Sequence, residues 1–108
     1  MLHEIRIYHC MPGRLPALSR LFETVTLRLW DKHGVRQVGF WTTLIGPSNQ
    51  DLTYLLEWES LAERETRFTA FQEDPEWIAS LAEAQREGNL VASFENYIWK
   101  PTRYSKLR

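Results

Sequence analysis

At 108 residues the chain is long enough for one hydrophobic core and too short for two ordinary domains, so residues 1–108 read as a single domain. Thirteen lysines and arginines against fourteen aspartates and glutamates give a net charge of -1, which argues against the broad cationic surface needed for nucleic acid or anionic membranes. The single cysteine, Cys10, cannot form an internal disulfide, and no Cys/His spacing matches a zinc site. Met1 leads straight into strand-like alternation, without a signal peptide or a membrane-length apolar run. We therefore expect a soluble, cytoplasmic, unprocessed protein with no metal or cofactor. Five tryptophans, five phenylalanines and four tyrosines are a heavy aromatic load for so small a domain; pocket walls or a second subunit must cover part of it.

In chain order, His3 to His9 alternates with period two and predicts a first strand. Pro12-Gly13 marks a turn. Leu15, Leu18, Phe22, Val25 and Leu29 then form one stripe of an amphipathic helix over residues 14–33, with Pro16 in its first turn. Lys32 and His33 suit the negative end of the helix dipole, and Gly34 suits a left-handed cap. Residues 35–45 predict a second strand and residues 52–59 a third, joined as a hairpin through the turn formers of residues 46–51. Ser60-Leu61-Ala62-Glu63 is a capping box, predicting a helix to about Glu73 with Leu61, Phe68 and Phe71 on its apolar side. Asp74-Pro75 predicts the start of another helix, with Trp77, Ile78, Leu81 and Ala82 as its apolar side. A last strand covers residues 90–99.

The order β-α-β-β-α(α)-β predicts an α+β, ferredoxin-like split βαβ domain, a four-stranded antiparallel sheet with helices on one face. Glu4-Ile5-Arg6-Ile7-Tyr8, Pro12-Gly13-Arg14, the run 34–41 ending in Gly39-Phe40-Trp41, Tyr54-Leu55-Leu56-Glu57-Trp58-Glu59-Ser60-Leu61 and Asp74-Pro75-Glu76-Trp77 together resemble the NIPSNAP family over nearly the whole chain. That family belongs to the dimeric α+β barrel group. The resemblance implies a homodimer joined through the open sheet faces around an enclosed space, and a family whose biochemical role is poorly defined.

If Ile5, Ile7, Leu52, Tyr54, Leu56 and Trp58 face the helices, period two puts Glu4, Arg6, Tyr8, Leu55, Glu57 and Glu59 on the open face. Gln37, Trp41 and Thr43 join them from strand two, and Glu95, Tyr97 and Trp99 from strand four. Glu4, Arg6, Tyr8, Trp41, Glu57, Glu95 and Tyr97 are therefore the candidate site, a polar and aromatic pocket between two sheets. Flat rings and a forked guanidinium suit a small aromatic or acidic ligand. Acid–base chemistry there falls to Glu57 or Glu95, with burial raising and Arg6 lowering a carboxylate pKa. The same set also reads as ion pairs filling a dimer interface. His33 is explained by the helix end, His3 and His9 lie too far apart on one strand to share a metal, and Cys10 reads as a small structural thiol. Trp77 packs across the start of the last helix. Two functions follow: a homodimeric ligand-binding or interaction module, or, by analogy with other dimeric α+β barrels, a cofactor-independent or haem-associated monooxygenase. The histidines are badly placed as haem ligands.

Overall fold

The computed structural model describes residues 1–108. Strand β1 (Leu2–Cys10) is followed by a continuous helical rod made of α1 (Leu15–Leu21), one π-helical segment (Phe22–Thr26) and α2 (Leu27–His33). Then come β2 (Arg36–Thr42), β3 (Asp51–Trp58), α3 (Leu61–Gln72), α4 (Pro75–Ala84) and β4 (Val91–Trp99). The strands lie in the order β2-β3-β1-β4, all neighbours antiparallel. No helix is long and apolar enough to cross a membrane.

Local chemistry explains the boundaries. Pro16 occupies the first turn of α1, and Gly34, at φ 74°, takes the left-handed conformation that ends α2 while the Val35 amide bonds back to the Trp30 carbonyl. The Ser60 hydroxyl accepts from the Glu63 amide at 3.1 Å, the forward half of the capping box; the Glu63 carboxylate returns to the Glu59 amide instead of that of Ser60. Asp74 caps α4 through the Glu76 amide and also binds His33 at 2.7 Å, tying the end of α2 to the start of α4. Strand β2 stops at Thr42, three residues short of the expected end, and Leu44 and Ile45 project from the hairpin loop fully exposed.

The core lies between the helices and one sheet face. Trp30, Tyr54, Leu56 and Trp58 are at most 2% exposed, each contributing roughly 1.5–3 kcal/mol through burial. Leu18, Leu29, Phe68 and Phe71 close it from the helices. Leu61 and Ile78, expected on the apolar sides of their helices, are exposed.

The sheet faces require a correction. Arg6 pairs directly with Tyr54, Glu4 with Leu56 and Tyr8 with Leu52, and directly opposed residues share a face. Glu4, Arg6 and Tyr8 therefore face the helices together with the β3 core residues. Ile5, paired with Leu55 and Tyr97, and Ile7, paired with Thr53 and Glu95, lie on the open face. The alternation within each strand is as expected, but the phase of β1 is inverted. Gln37 also leaves the open face, because a bulge between Gln37 and Gly39 shifts the β2 register and sets it opposite Leu56.

Candidate functional site

The inversion divides the seven candidate residues between two places. Glu4, Arg6 and Tyr8 meet between sheet and helices, whereas Trp41, Glu57, Glu95 and Tyr97 stay on the open face. On the helix side a cavity of about 220 Å³ opens among Arg6, Tyr8, Phe22, Trp30, Tyr54 and Phe94, with Phe68, Phe71, Trp77 and Leu81 completing the wall. This cavity lies within the chain, on the sheet face opposite the one on which a pocket between two sheets was expected.

Glu4 anchors the polar side of this cavity. It is fully buried and receives Arg64 through Nε at 2.8 Å and Nη2 at 2.9 Å, Trp58 Nε1 at 2.9 Å, Asn96 Nδ2 at 2.7 Å and Arg6 Nη1 at 3.3 Å. Burial pushes its pKa up, but the donors from Arg64, Asn96 and Trp58 outweigh that and hold it below the usual carboxylate range. Arg6 in turn donates from Nε to the Tyr8 hydroxyl at 3.2 Å, and Tyr8 and Tyr54 share a 2.8 Å hydrogen bond. Burial alone lowers the Arg6 pKa, yet the tyrosine oxygens and Glu4 raise it above the ordinary value, so the guanidinium stays charged. Burial and the Tyr8 neighbour push the Tyr54 phenol well up, so it is a neutral donor. Rings of Phe94, Tyr8 and Phe68 stand 5.0, 5.4 and 5.5 Å from the Arg6 guanidinium carbon.

Phe22 and Thr26, the first and last residues of the π-helical segment, both line the cavity. A π-bulge adds one residue to a helical turn and is found mostly at functional sites. Here it sets the register with which two α-helical stretches present Phe22, Thr26 and Trp30 to the same space. The wall contains no carboxylate, imidazole, lysine or thiol. It supplies hydrogen-bond donors, a cation and aromatic faces, and the Tyr8 and Tyr54 hydroxyls are its groups of the general acid–base type.

The open face carries a separate cluster. His9 Nδ1 binds Asp51 and Nε2 binds Glu95, both at 2.8 Å, and the Tyr97 hydroxyl donates to Glu95 at 2.6 Å. Asp51, then Glu95, raise the His9 pKa. Glu57 pairs with Arg36 at 3.5 Å, and the Trp41 ring lies over Gly39, where an added Cβ would come within 2.9 Å of it. No group of three or more His, Cys, Asp or Glu side chains is placed to hold a metal ion. Cys10 is buried in the core, its thiol pKa raised by burial and by Asp51, as suits an unreactive thiol. Trp77 packs on Phe71 at 4.7 Å.

Sequence reasoning missed Tyr54, Arg64 and Asn96 as site residues, and His9 as a bonded member of the open-face cluster. Arg64 and Asn96 come from distant elements with no local motif. The His9 contacts follow only from the β1 pairing, which sets His9 opposite Asp51.

Comparison with known proteins places this geometry in a family. A family model for NIPSNAP matches residues 3–106. The chain belongs to the NIPSNAP family. A NIPSNAP family protein of unknown function from Agrobacterium tumefaciens is 30% identical over the full length of both chains, with a TM-score of 0.87. A second NIPSNAP protein from the same organism is 27% identical, covering 99% of this chain and 98% of that one, also at 0.87. A Nitrosomonas europaea protein classed with the antibiotic biosynthesis monooxygenases shares the fold at 7% identity, with 94% and 98% coverage and a TM-score of 0.63. Comparison with proteins of curated function gives no match. The α+β, ferredoxin-like sheet expected for a NIPSNAP chain is thereby established.

Proposed function

We propose that this NIPSNAP protein is a homodimeric small-ligand-binding module, each chain holding one ligand in the cavity between sheet and helices. The observation that carries this reading is the convergence of Arg6, Tyr8 and Tyr54 on an otherwise apolar and aromatic hollow. Ligand sites are typically apolar cavities with a few placed polar groups. A volume of about 220 Å³ lies below the usual drug-sized range of about 300–1,000 Å³, which limits the ligand to one or two fused rings or their equivalent.

A second copy is the natural cover for the open sheet face. Trp41 and Trp99 are more than half exposed there, Tyr97 stacks on Trp99 at 6.2 Å, and the half-buried Ile5 and Ile7 continue the patch. Contiguous apolar surface of this kind marks an interface.

The monooxygenase alternative rests on the shared fold, and fold does not determine chemistry. The cavity wall offers no histidine, cysteine or methionine to haem iron, and its two tyrosine hydroxyls are bonded to each other. The haem form of that reading does not fit these residues.

Titration with 2-naphthamide, a neutral two-ring probe, tests the cavity. Binding to the folded state is expected to quench tryptophan fluorescence and raise the melting temperature. Leu81→Trp, which fills the wall from α4, should abolish both responses. An unchanged melting curve and spectrum at millimolar probe would remove the ligand-site reading.

A further inference from the structure

The charge balance around the cavity specifies the class of ligand; this step rests on the cavity being a ligand site. One carboxylate, Glu4, faces two guanidiniums, Arg6 and Arg64. No other acidic side chain pairs with either, and the remaining donors to Glu4, Trp58 and Asn96, are neutral. One positive charge is left without a protein counter-charge. Arg64, with its side chain 28% exposed, reaches water; the Arg6 side chain is 11% exposed and lines the cavity.

The donor inventory agrees with the charge. Arg6 has five N–H groups and spends one on Tyr8 through Nε, one on Glu4 through Nη1 and at most one more on Tyr54, so guanidinium hydrogens are left without a protein acceptor. Tyr8 and Tyr54 have two hydroxyl protons and share a single bond, so one phenolic proton also lacks a protein acceptor. A guanidinium N–H and a phenolic O–H therefore stay free at the polar end of an aromatic hollow. Two adjacent donors match the two oxygens of a carboxylate, and low local dielectric strengthens the pairing.

We propose that the cavity binds a small aromatic monocarboxylate, its two oxygens taking hydrogen bonds from the Arg6 guanidinium and the Tyr8–Tyr54 hydroxyl pair and its ring lying among Phe22, Trp30 and Phe94. Such a ligand restores neutrality to the Glu4–Arg6–Arg64 cluster. A neutral isostere fills the same space without that gain, and a cation is repelled.

Calorimetric titration of the full chain with 2-naphthoate, 2-naphthamide and 2-naphthylmethylammonium decides the matter. The carboxylate is expected to bind about tenfold or more tightly than the amide, with the ammonium weakest. Arg6→Met should remove the advantage of the carboxylate while leaving the amide within about threefold, because Glu4 keeps Arg64, Trp58 and Asn96. Equal affinity of carboxylate and amide for the wild type overturns the proposal and leaves the cavity reading standing. Binding of none of the three probes overturns both. The wild-type ratio is decisive even if Arg6→Met does not fold, and the double variant Tyr8→Phe/Tyr54→Phe, which deletes both hydroxyls, should weaken the carboxylate selectively.

Discussion

Glu4 is the residue on which the polar side of the cavity depends. A buried carboxylate costs several kcal/mol to desolvate and is tolerated only when its lone pairs are filled, as five donors fill them here. Glu4→Ala leaves Arg6 buried without a carboxylate, and we expect a loss of about 3–5 kcal/mol in urea unfolding. A loss below about 1 kcal/mol would mean that both arginines find other partners. The pH dependence follows from the same bonds. The folded pKa of Glu4 is depressed, so its stabilisation is fully present above the ordinary carboxylate value and is lost as pH falls through the depressed one. Glu4→Gln should flatten the acid limb of the stability profile. His9 has the opposite sign. Asp51 and Glu95 raise its pKa, so its contribution is complete below the ordinary histidine value of about 6.5 and disappears as pH rises through the raised value. With the ring a third exposed, solvent keeps the effect small. Melting temperatures of the wild type should decline over that window relative to those of His9→Gln; parallel curves would show that the two carboxylate contacts contribute nothing.

At the scale of elements, the π-helical segment is the local irregularity that shapes the cavity. Removing Thr24, an exposed residue inside it, should let the i→i−4 ladder run unbroken from α1 into α2. Helix content by circular dichroism should be retained, while the widened turn that sets Phe22 and Thr26 against the cavity tightens and affinity for naphthyl probes falls by about tenfold or more. Unchanged affinity would show that the extra residue has no part in building the site. No sequence pattern announces this segment, since the stripe Leu15, Leu18, Phe22, Val25, Leu29 is that of an ordinary amphipathic helix. The elements themselves were legible, because caps at Gly34, Ser60 and Asp74 and the alternation of β1 are local signals. The phase of β1 was not. Period two says which residues share a face and is silent on which face meets the helices. Polarity is a poor guide there, because Glu4, Arg6 and Tyr8 satisfy one another in the interior while Ile5 and Ile7 share the open face with Trp41, Trp99 and the His9–Asp51–Glu95 cluster. The cavity therefore appears only once the β1–β3 register is known.

The whole molecule is flat and covered by helices on one side, a shape that suits the proposed dimer. Its extents are 45 × 36 × 19 Å, and its radius of gyration of 14.5 Å exceeds the roughly 13 Å of a compact chain this long. Only 20 of 108 residues are buried, and the sheet has helices on one side alone. Sheets packed face to face lie about 10 Å apart with interdigitating side chains, an arrangement that would cover Trp41, Tyr97 and Trp99 at once. Ile5 is central to this patch, between Leu55 and Tyr97 on the neighbouring strands. Ile5→Arg sets a cation beside Leu55 and Tyr97 at the middle of the proposed sheet–sheet contact, where its desolvation opposes association. In sedimentation equilibrium the wild type should show twice the chain mass, and Ile5→Arg the mass of a single chain. The substituted side chain points away from the cavity, so the folded monomer should still bind naphthyl probes. A wild-type monomer, or an Ile5→Arg variant that stays dimeric, would require another surface to cover the exposed rings.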